Sequence, residues 1–134
     1  MIKVLKIEHI GVAVKSRSES AAFFKLLGLK VEGEETVGTD LKVAMLGVGE
    51  SEIELLEPAN PDATVAKFIE KRGEGIHHLA LTVEDLDGAV KELLAAGVRM
   101  IDKAPRPGAG GSMVAFVHPA AAKGVLIELV QSRK

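Results

Sequence analysis

Two histidines and two glutamates recur at matching places in this 134-residue chain, and as a set they suit metal chemistry. His9 lies in Ile7-Glu8-His9-Ile10-Gly11-Val12-Ala13-Val14, and His78 in Gly75-Ile76-His77-His78-Leu79-Ala80-Leu81-Thr82-Val83. Laying His9 on His78 carries Val14 onto Val83 and, with the same offset, Gly28 onto Gly97. A slightly larger offset carries Ile53-Glu54-Leu55-Leu56 onto Ile127-Glu128-Leu129-Val130. The chain is therefore a duplicated unit whose second copy has longer loops before its last strand. The residues flanking each His on its own strand face are small, which leaves space instead of packing. Each Glu interrupts an apolar strand, where a lone buried carboxylate is strongly disfavoured. A pseudo-two-fold pairing of the copies would bring two imidazoles and two carboxylates together. Such a donor set suits Co2+, Mn2+, Ni2+ or Zn2+, neutralises the ion, and leaves positions open for a chelating substrate.

Taken singly, a strand His is more often a hydrogen-bonded core residue, and a strand Glu more often a solvated edge group. What favours the metal is that all four fall in register across the duplication. His77 keeps the structural reading, because it sits on the opposite face from His78 and has no counterpart in the first copy. The glycine-rich stretch Pro105-Arg106-Pro107-Gly108-Ala109-Gly110-Gly111-Ser112 is either a phosphate-cradling nest or a plain flexible loop. His118-Pro119 either orients a substrate or ends a strand. The lysines near Lys67, Lys71 and Lys91 read as solvated helix faces.

The elements that must position these groups follow from hydrophobic period and punctuation. Residues 5–14 read as a strand with Ile10, Val12 and Val14 on its apolar face and Ile7, His9, Gly11 and Ala13 on the other. Ser16-Arg17-Ser18-Glu19 is a capping box opening a helix to about Leu27, expected to bury Ala22, Phe23, Leu26 and Leu27 and to stop at Gly28. Three strands follow at 29–37, 41–46 and 51–57. Asn60-Pro61-Asp62 opens a short connecting helix that buries Val65, Phe68 and Ile69 and ends at Gly73. The second copy repeats the plan: a strand at 75–83, then a helix capped by Asp85 carrying Leu86, Val90, Leu93 and Leu94 up to Gly97. Strands at about 98–102, 113–118 and 125–131 complete it. The expected class is α+β, a single domain of two tandem βαβββ units (about 5–58 and 75–131) joined by a linker helix at about 60–73.

Composition narrows the function classes. A hydrophobic fraction of 47% with 27% charged residues is ordinary for a globular chain long enough to build a core. A net charge of −2, with no basic run interleaved with aromatics, gives no reason to expect a nucleic-acid partner. No apolar run approaches the roughly 20 residues of a bilayer span, and charged residues interrupt the first strand where a signal peptide would be apolar. The absence of Cys removes thiolate chemistry and disulfides. The expectation is a cytoplasmic protein with no membrane partner.

Paired βαβββ units holding a metal through His and Glu resemble the vicinal oxygen chelate superfamily, whose glyoxalase-like fold places a metal site between curved mixed sheets. Within it the chain is most similar to the methylmalonyl-CoA epimerase family, over nearly its whole length. The segments that carry this are His9-Ile10-Gly11-Val12-Ala13-Val14, Ile53-Glu54-Leu55-Leu56-Glu57-Pro58, Gly75-Ile76-His77-His78-Leu79-Ala80, and His118-Pro119 followed by Lys123-Gly124-Val125-Leu126-Ile127-Glu128-Leu129. The resemblance implies that His9, Glu54, His78 and Glu128 ligate one divalent ion, with Co2+ favoured. It also implies a homodimer acting on methylmalonyl-CoA. The implied reaction is 1,1-proton transfer at C2 through an enolate, interconverting the R and S forms, with Glu128 as one catalytic acid–base group. Gly111, Ser112, His118 and Lys123 are the expected substrate contacts, and Arg106, Lys103 and Lys123 are the candidates for CoA phosphates.

Three departures from the family pattern stand out. Some epimerases carry Gln where this chain has Glu54. The His-Pro-Lys triplet becomes His118-Pro119-Ala120. Some epimerases also place a second catalytic carboxylate on the third strand, which here reads Leu41-Lys42-Val43-Ala44-Met45. Lys42 with a lowered pKa or a metal-bound water are the substitutes the sequence offers. Two other readings share the fold. A glyoxalase I-like lactoylglutathione lyase would need arginines for the glutathione carboxylates, and only Arg17 is in place near the first strand and helix. A ligand-sequestering protein would need aromatic walls, and this chain has no Trp, no Tyr and four Phe.

Overall fold

The computed structural model describes residues 1–132. Its elements are β1 (Val4–Ala13), α1 (Arg17–Leu26), β2 (Val31–Val37), β3 (Leu41–Val48), β4 (Ser51–Pro58), α2 (Thr64–Arg72), β5 (Gly75–Val83), α3 (Leu86–Ala95), β6 (Arg106–Pro107), β7 (Met113–Val117) and β8 (Ile127–Gln131). The βαβββ order thus occurs twice, with α2 between. Contacts divide the chain into residues 9–77 on one hand, and residues 1–8 with the chain from His78 onward on the other. The division therefore cuts β1 and β5 and does not follow the sequence repeats.

In residues 9–77 the strand order is β2-β3-β4-β1, with β1 and β4 parallel and the other pairs antiparallel. Cross-strand partners share a face, so the register sorts every side chain. One face carries Ala44, Leu46 and Leu55, and packs with Val14 against Ala21 and Phe24 of α1. The other carries Ala13, Val43 and Leu56, and packs against Val65, Phe68 and Ile69 of α2. The connecting helix is therefore part of this unit's core, more than a linker. It starts at Thr64, because Asn60 Oδ1 accepts from Asp62 N at 2.9 Å and holds the preceding residues in a turn.

The expected buried face of α1 is wrong. Ser16 does cap the helix, accepting from Glu19 N at 3.2 Å, and Arg17 N donates to Glu57 at 2.8 Å. These two anchors turn Ala21 and Phe24 inward, whereas Ala22 is exposed and Phe23, Leu26 and Leu27 are 56%, 84% and 62% exposed. The doublets Phe23-Phe24 and Leu26-Leu27 put apolar groups on adjacent faces, so helical period cannot choose between them.

From His78 onward the order is β5-β8-β7-β6, with β5 and β8 parallel and β7 antiparallel to both β8 and β6. Leu86, Ala89 and Val90 of α3 pack on Val83, Ala115, Val117 and Leu129. Asp85 caps α3 by accepting from Gly88 N at 3.1 Å, and Gln131 Oε1 accepts from Leu86 N at 2.7 Å, so β8 satisfies another terminal donor. The strand expected at 98–102 is reduced to a single bridge, Met100 with Val117. Asp102 ends it: its carboxylate accepts from Phe116 N at 2.8 Å, taking the place a strand carbonyl would fill. The short partner of β7 is instead β6, inside the stretch read as loop. Among the described residues no helix is long and apolar enough to cross a membrane.

Candidate metal centre

The four candidate ligands are buried, His9 at 5%, Glu54 at 7%, His78 at 6% and Glu128 at 7% exposure. Within residues 9–77, Gly11 is the register partner of Glu54. With no side chain at Gly11, the Glu54 carboxylate can lean across β1, and its Oε2 stands 3.3 Å from His9 Nδ1. The second unit repeats the device. Ala80 is the register partner of Glu128, and Glu128 Oε1 stands 2.9 Å from His78 Nε2. The small residues that leave space beside each His thus serve a purpose: they let the carboxylate on the neighbouring strand reach the ring.

These pairs also pass the test of fit to a divalent ion. A buried carboxylate requires a compensating cation or proton. Each pair offers an imidazole and a carboxylate, the N/O donors that a borderline first-row ion takes. His78 and Glu128, both buried, are among the described side chains able to contribute to such a site. His77 lies apart from this chemistry, packing edge-to-face on Phe68 with ring centroids 4.8 Å apart.

The register corrects one candidate. Lys42 pairs with Glu57 and lies on the α1 side of the sheet, whereas Met45 pairs with Glu54 on the other side. The Lys42 ammonium sits 3.9 Å from Glu57, which also holds Arg17. Lys42 therefore points away from the His9–Glu54 face and cannot be the second acid–base group there.

The expected substrate contacts fall in two turns. His118 caps the 3-10 turn Pro119–Ala122, its Nδ1 accepting from Ala120 N at 3.0 Å, which leaves Nε2 to carry the ring proton. Lys123 ends that turn at φ 58, the one positive-φ residue other than glycine among the described residues, and it is exposed. Gly111 and Ser112 belong to a closed turn and not a loose loop. Gly108 N donates to Ser112 O at 2.9 Å and the Ser112 hydroxyl donates to Ala109 O at 2.7 Å. A Cβ on Gly108 would lie 2.6 Å from Val114, so the turn requires glycine there.

Two further groups lie on the His78 face: Arg106, one of the expected CoA-phosphate contacts, and Thr82, which has no functional reading from sequence. Thr82 Oγ1 is buried with no hydrogen-bond partner, an unusual state for a native hydroxyl and one that a bound ligand atom would relieve. Arg106 is the register partner of Val114 and lays its guanidinium 5.4 Å from the Phe116 ring, which itself stands edge-on to His78 at 5.7 Å. The Asp102 carboxylate orients it, 2.9 Å from Arg106 Nε. Burial without a partner, not residue type, distinguishes Thr82, so sequence carried no signal for it.

Comparison with known proteins agrees with this geometry. Residues 8–116 match the family model described as Glyoxalase/Bleomycin resistance protein/Dioxygenase superfamily. A hypothetical protein from Bacillus halodurans C-125 has a structure with TM-score 0.93 and 45% identity, covering 96% of this chain and 95% of that one. A solved methylmalonyl-CoA epimerase in complex with methylmalonyl-CoA and NH4+ has TM-score 0.93 and 34% identity, covering 98% and 96%. The mitochondrial methylmalonyl-CoA epimerase of Dictyostelium discoideum is 37% identical over 131 residues, 96% of this chain and 79% of that protein. With a glyoxalase-like fold and buried His–carboxylate pairs at equivalent places, the chain belongs to the glyoxalase/bleomycin resistance/dioxygenase superfamily and, within it, to the methylmalonyl-CoA epimerase family.

Proposed function

We propose that this protein interconverts the two C2 epimers of methylmalonyl-CoA by 1,1-proton transfer, as a homodimer with one divalent ion per chain. The observation that carries the reading is the repeated buried pair, His9 with Glu54 and His78 with Glu128, in a chain whose family relatives bear that epimerase name. His9, Glu54, His78 and Glu128 would hold the ion, with Co2+ the favoured choice. When bound, the ion supplies a Lewis acid and a template for a substrate with two neighbouring oxygens.

The chain's own residues do the rest. The C2 hydrogen lies between a thioester and a carboxylate, so its removal leaves an enolate, and Glu128 is the group that takes or returns the proton. Burial of the four donors keeps bulk water from the reacting carbon and strengthens every charge interaction there. Thr82 offers a hydroxyl to a substrate oxygen. Arg106, Lys103, Lys123, His118, Gly111 and Ser112 are the groups proposed to receive the acyl carboxylate and the CoA portion. The glyoxalase I-like alternative loses its main support, since Arg17 is occupied by Glu57 and by the Val43 carbonyl at 3.3 Å.

The test is deuterium incorporation at C2 of methylmalonyl-CoA in heavy water, using cobalt-loaded and metal-stripped protein. Metal-dependent wash-in with loss of optical purity is the expected result, and Glu128→Gln should lower the rate by at least about 100-fold. Wild-type protein that binds cobalt but leaves C2 unexchanged would redirect the assignment to a hemithioacetal substrate.

A further inference from the structure

Asp102, Phe116 and Arg106 form a closed set of contacts in the second unit. Asp102 N donates to Phe116 O at 3.2 Å, and Asp102 Oδ2 accepts from Phe116 N at 2.8 Å. The other carboxylate oxygen, Oδ1, accepts from Arg106 Nε at 2.9 Å. The Arg106 guanidinium completes the set by standing over the Phe116 ring at 5.4 Å. Resting on the reading above, we propose that Asp102 is a positioning residue for substrate binding. It fixes Arg106 so that the two Nη groups of the guanidinium form a paired-donor site for a phosphate of the CoA portion.

Each contact removes one freedom from the guanidinium. Pro107 holds the backbone of Arg106 extended, and pairing with Val114 puts its side chain on the sheet face that carries Phe116. The ring covers one face of the planar group, and Asp102 occupies Nε. What is left is the edge formed by the two Nη groups, which have no protein partner among the described residues. That edge matches two oxygens of a phosphate. Asp102 can hold it because Asp102 is itself held through both peptide groups of Phe116, with its side chain only 16% exposed. An ion pair with one exposed partner adds little stability. Its contribution here is direction, since a side chain already fixed loses less freedom when the oxyanion arrives.

Position decides which anion the site takes. Phe116 pairs with Glu128 and stands edge-on to His78 at 5.7 Å, so the ring that supports Arg106 also touches a candidate ligand. Arg106 itself is on β6, two strands from β8 and hence about 10 Å from the strand of Glu128. The acyl carboxylate is bonded to C2 and stays with the group that handles C2, whereas the CoA portion leads away from it. Exposure agrees with this division. The Arg106 side chain is half-exposed while His78 and Glu128 are buried, which suits the end of the substrate that reaches water. Lys103, next to Asp102 in the chain, is exposed and adds positive charge there.

The test is calorimetric titration of free CoA, and of pantetheine, which lacks the phosphates, into cobalt-loaded wild type, Asp102→Asn, Arg106→Gln and the double variant. Asp102→Asn keeps a carbonyl oxygen to accept from Phe116 N but withdraws the charge that holds Arg106 Nε. It also removes one negative charge, so CoA attracted by charge alone would bind this variant more tightly than wild type. The expected result is the opposite: CoA binding weakens about tenfold in Arg106→Gln and about threefold or more in Asp102→Asn. The double variant should lose no more than Arg106→Gln, because Asp102 acts through Arg106. Pantetheine should bind all four proteins alike. In turnover of methylmalonyl-CoA, both single variants should raise KM with kcat unchanged, the sign of binding remote from the reacting carbon. Equal or tighter CoA binding by Asp102→Asn would overturn the assignment, as would additive losses in the double variant or an equal loss for pantetheine. Wild type that shows this binding pattern without epimerising defeats the epimerase reading alone. Wild type that epimerises, with neither variant changing KM, defeats the Asp102 assignment alone.

Discussion

Gly11 and Ala80 set the chemistry at the residue scale as much as the ligands do. Each faces a glutamate on the adjacent parallel strand and leaves that glutamate room to lean toward a histidine two positions away. His77 and His78 illustrate the consequence of strand alternation: adjacent in sequence, they serve opposite faces, one against Phe68 and the other against Glu128. The two should therefore fail differently. Cobalt is expected to raise the thermal midpoint of the wild type, and His78→Ala to lower cobalt affinity by at least about 100-fold and abolish that rise by loss of linkage. His77→Ala should keep cobalt affinity and lose about 1 kcal/mol of stability, the worth of an aromatic pair. Calorimetric cobalt titration and thermal unfolding of both variants check this, and equal cobalt affinities would refute the ligand assignment. The residue types at 9, 54, 78 and 128 were legible in the sequence because the duplication marks them twice. Thr82 was not, because what distinguishes it is an unsatisfied hydroxyl that exists only after folding.

At the scale of elements, the helices α1 and α3 cover equivalent sheet faces in their own units, opposite to the faces bearing the His–Glu pairs. Both are fixed at their N-termini by side chains visible in sequence, Ser16 and Asp85. Asp85 accepts the Gly88 N–H, so Asp85→Ala is expected to cost about 1 kcal/mol, read as a lower denaturation midpoint at unchanged slope. Because α3 packs on the sheet face opposite His78 and Glu128, cobalt affinity should stay as in wild type, and a loss of metal binding would show that the helix does more than support the sheet. Caps were readable because they are local. The buried side of α1 was not, since Ala21 and Phe24 face inward only through the anchors that Ser16 and Glu57 provide. Likewise the 98–102 segment has strand-like residues, yet Asp102 closes on Phe116 N and stops the ladder after one bridge.

For the whole molecule, the match to a solved methylmalonyl-CoA epimerase covers 98% of the chain, so both repeats lie within it. Phe23, Leu26 and Leu27 on α1, together with Val4, Leu5 and Ile7 on β1, leave apolar surface exposed, which is the kind of surface a partner copy covers. Light scattering on the metal-loaded protein should give a mass of two chains at micromolar concentration. A single-chain mass under those conditions would remove the homodimer from the proposal.

The sequence by itself determined the repeat, the four His and Glu candidates that prove buried, the separation of His78 from His77 and the start of each capped helix. All of these are carried by local spacing, and duplication checks them internally. Tertiary structure decided the phase of β2, the inner face of α1, and which carboxylates and cations share a face with the ligands. A bulge is the physical reason for the first of these. One inserted residue at Glu32 leaves the sequence alternating as before but exchanges the faces of everything after it, and only the hydrogen-bonded partner strand reveals the change. Strand pairing decided Lys42 in a similar way: its ammonium turned toward Glu57 and away from the face of Glu54.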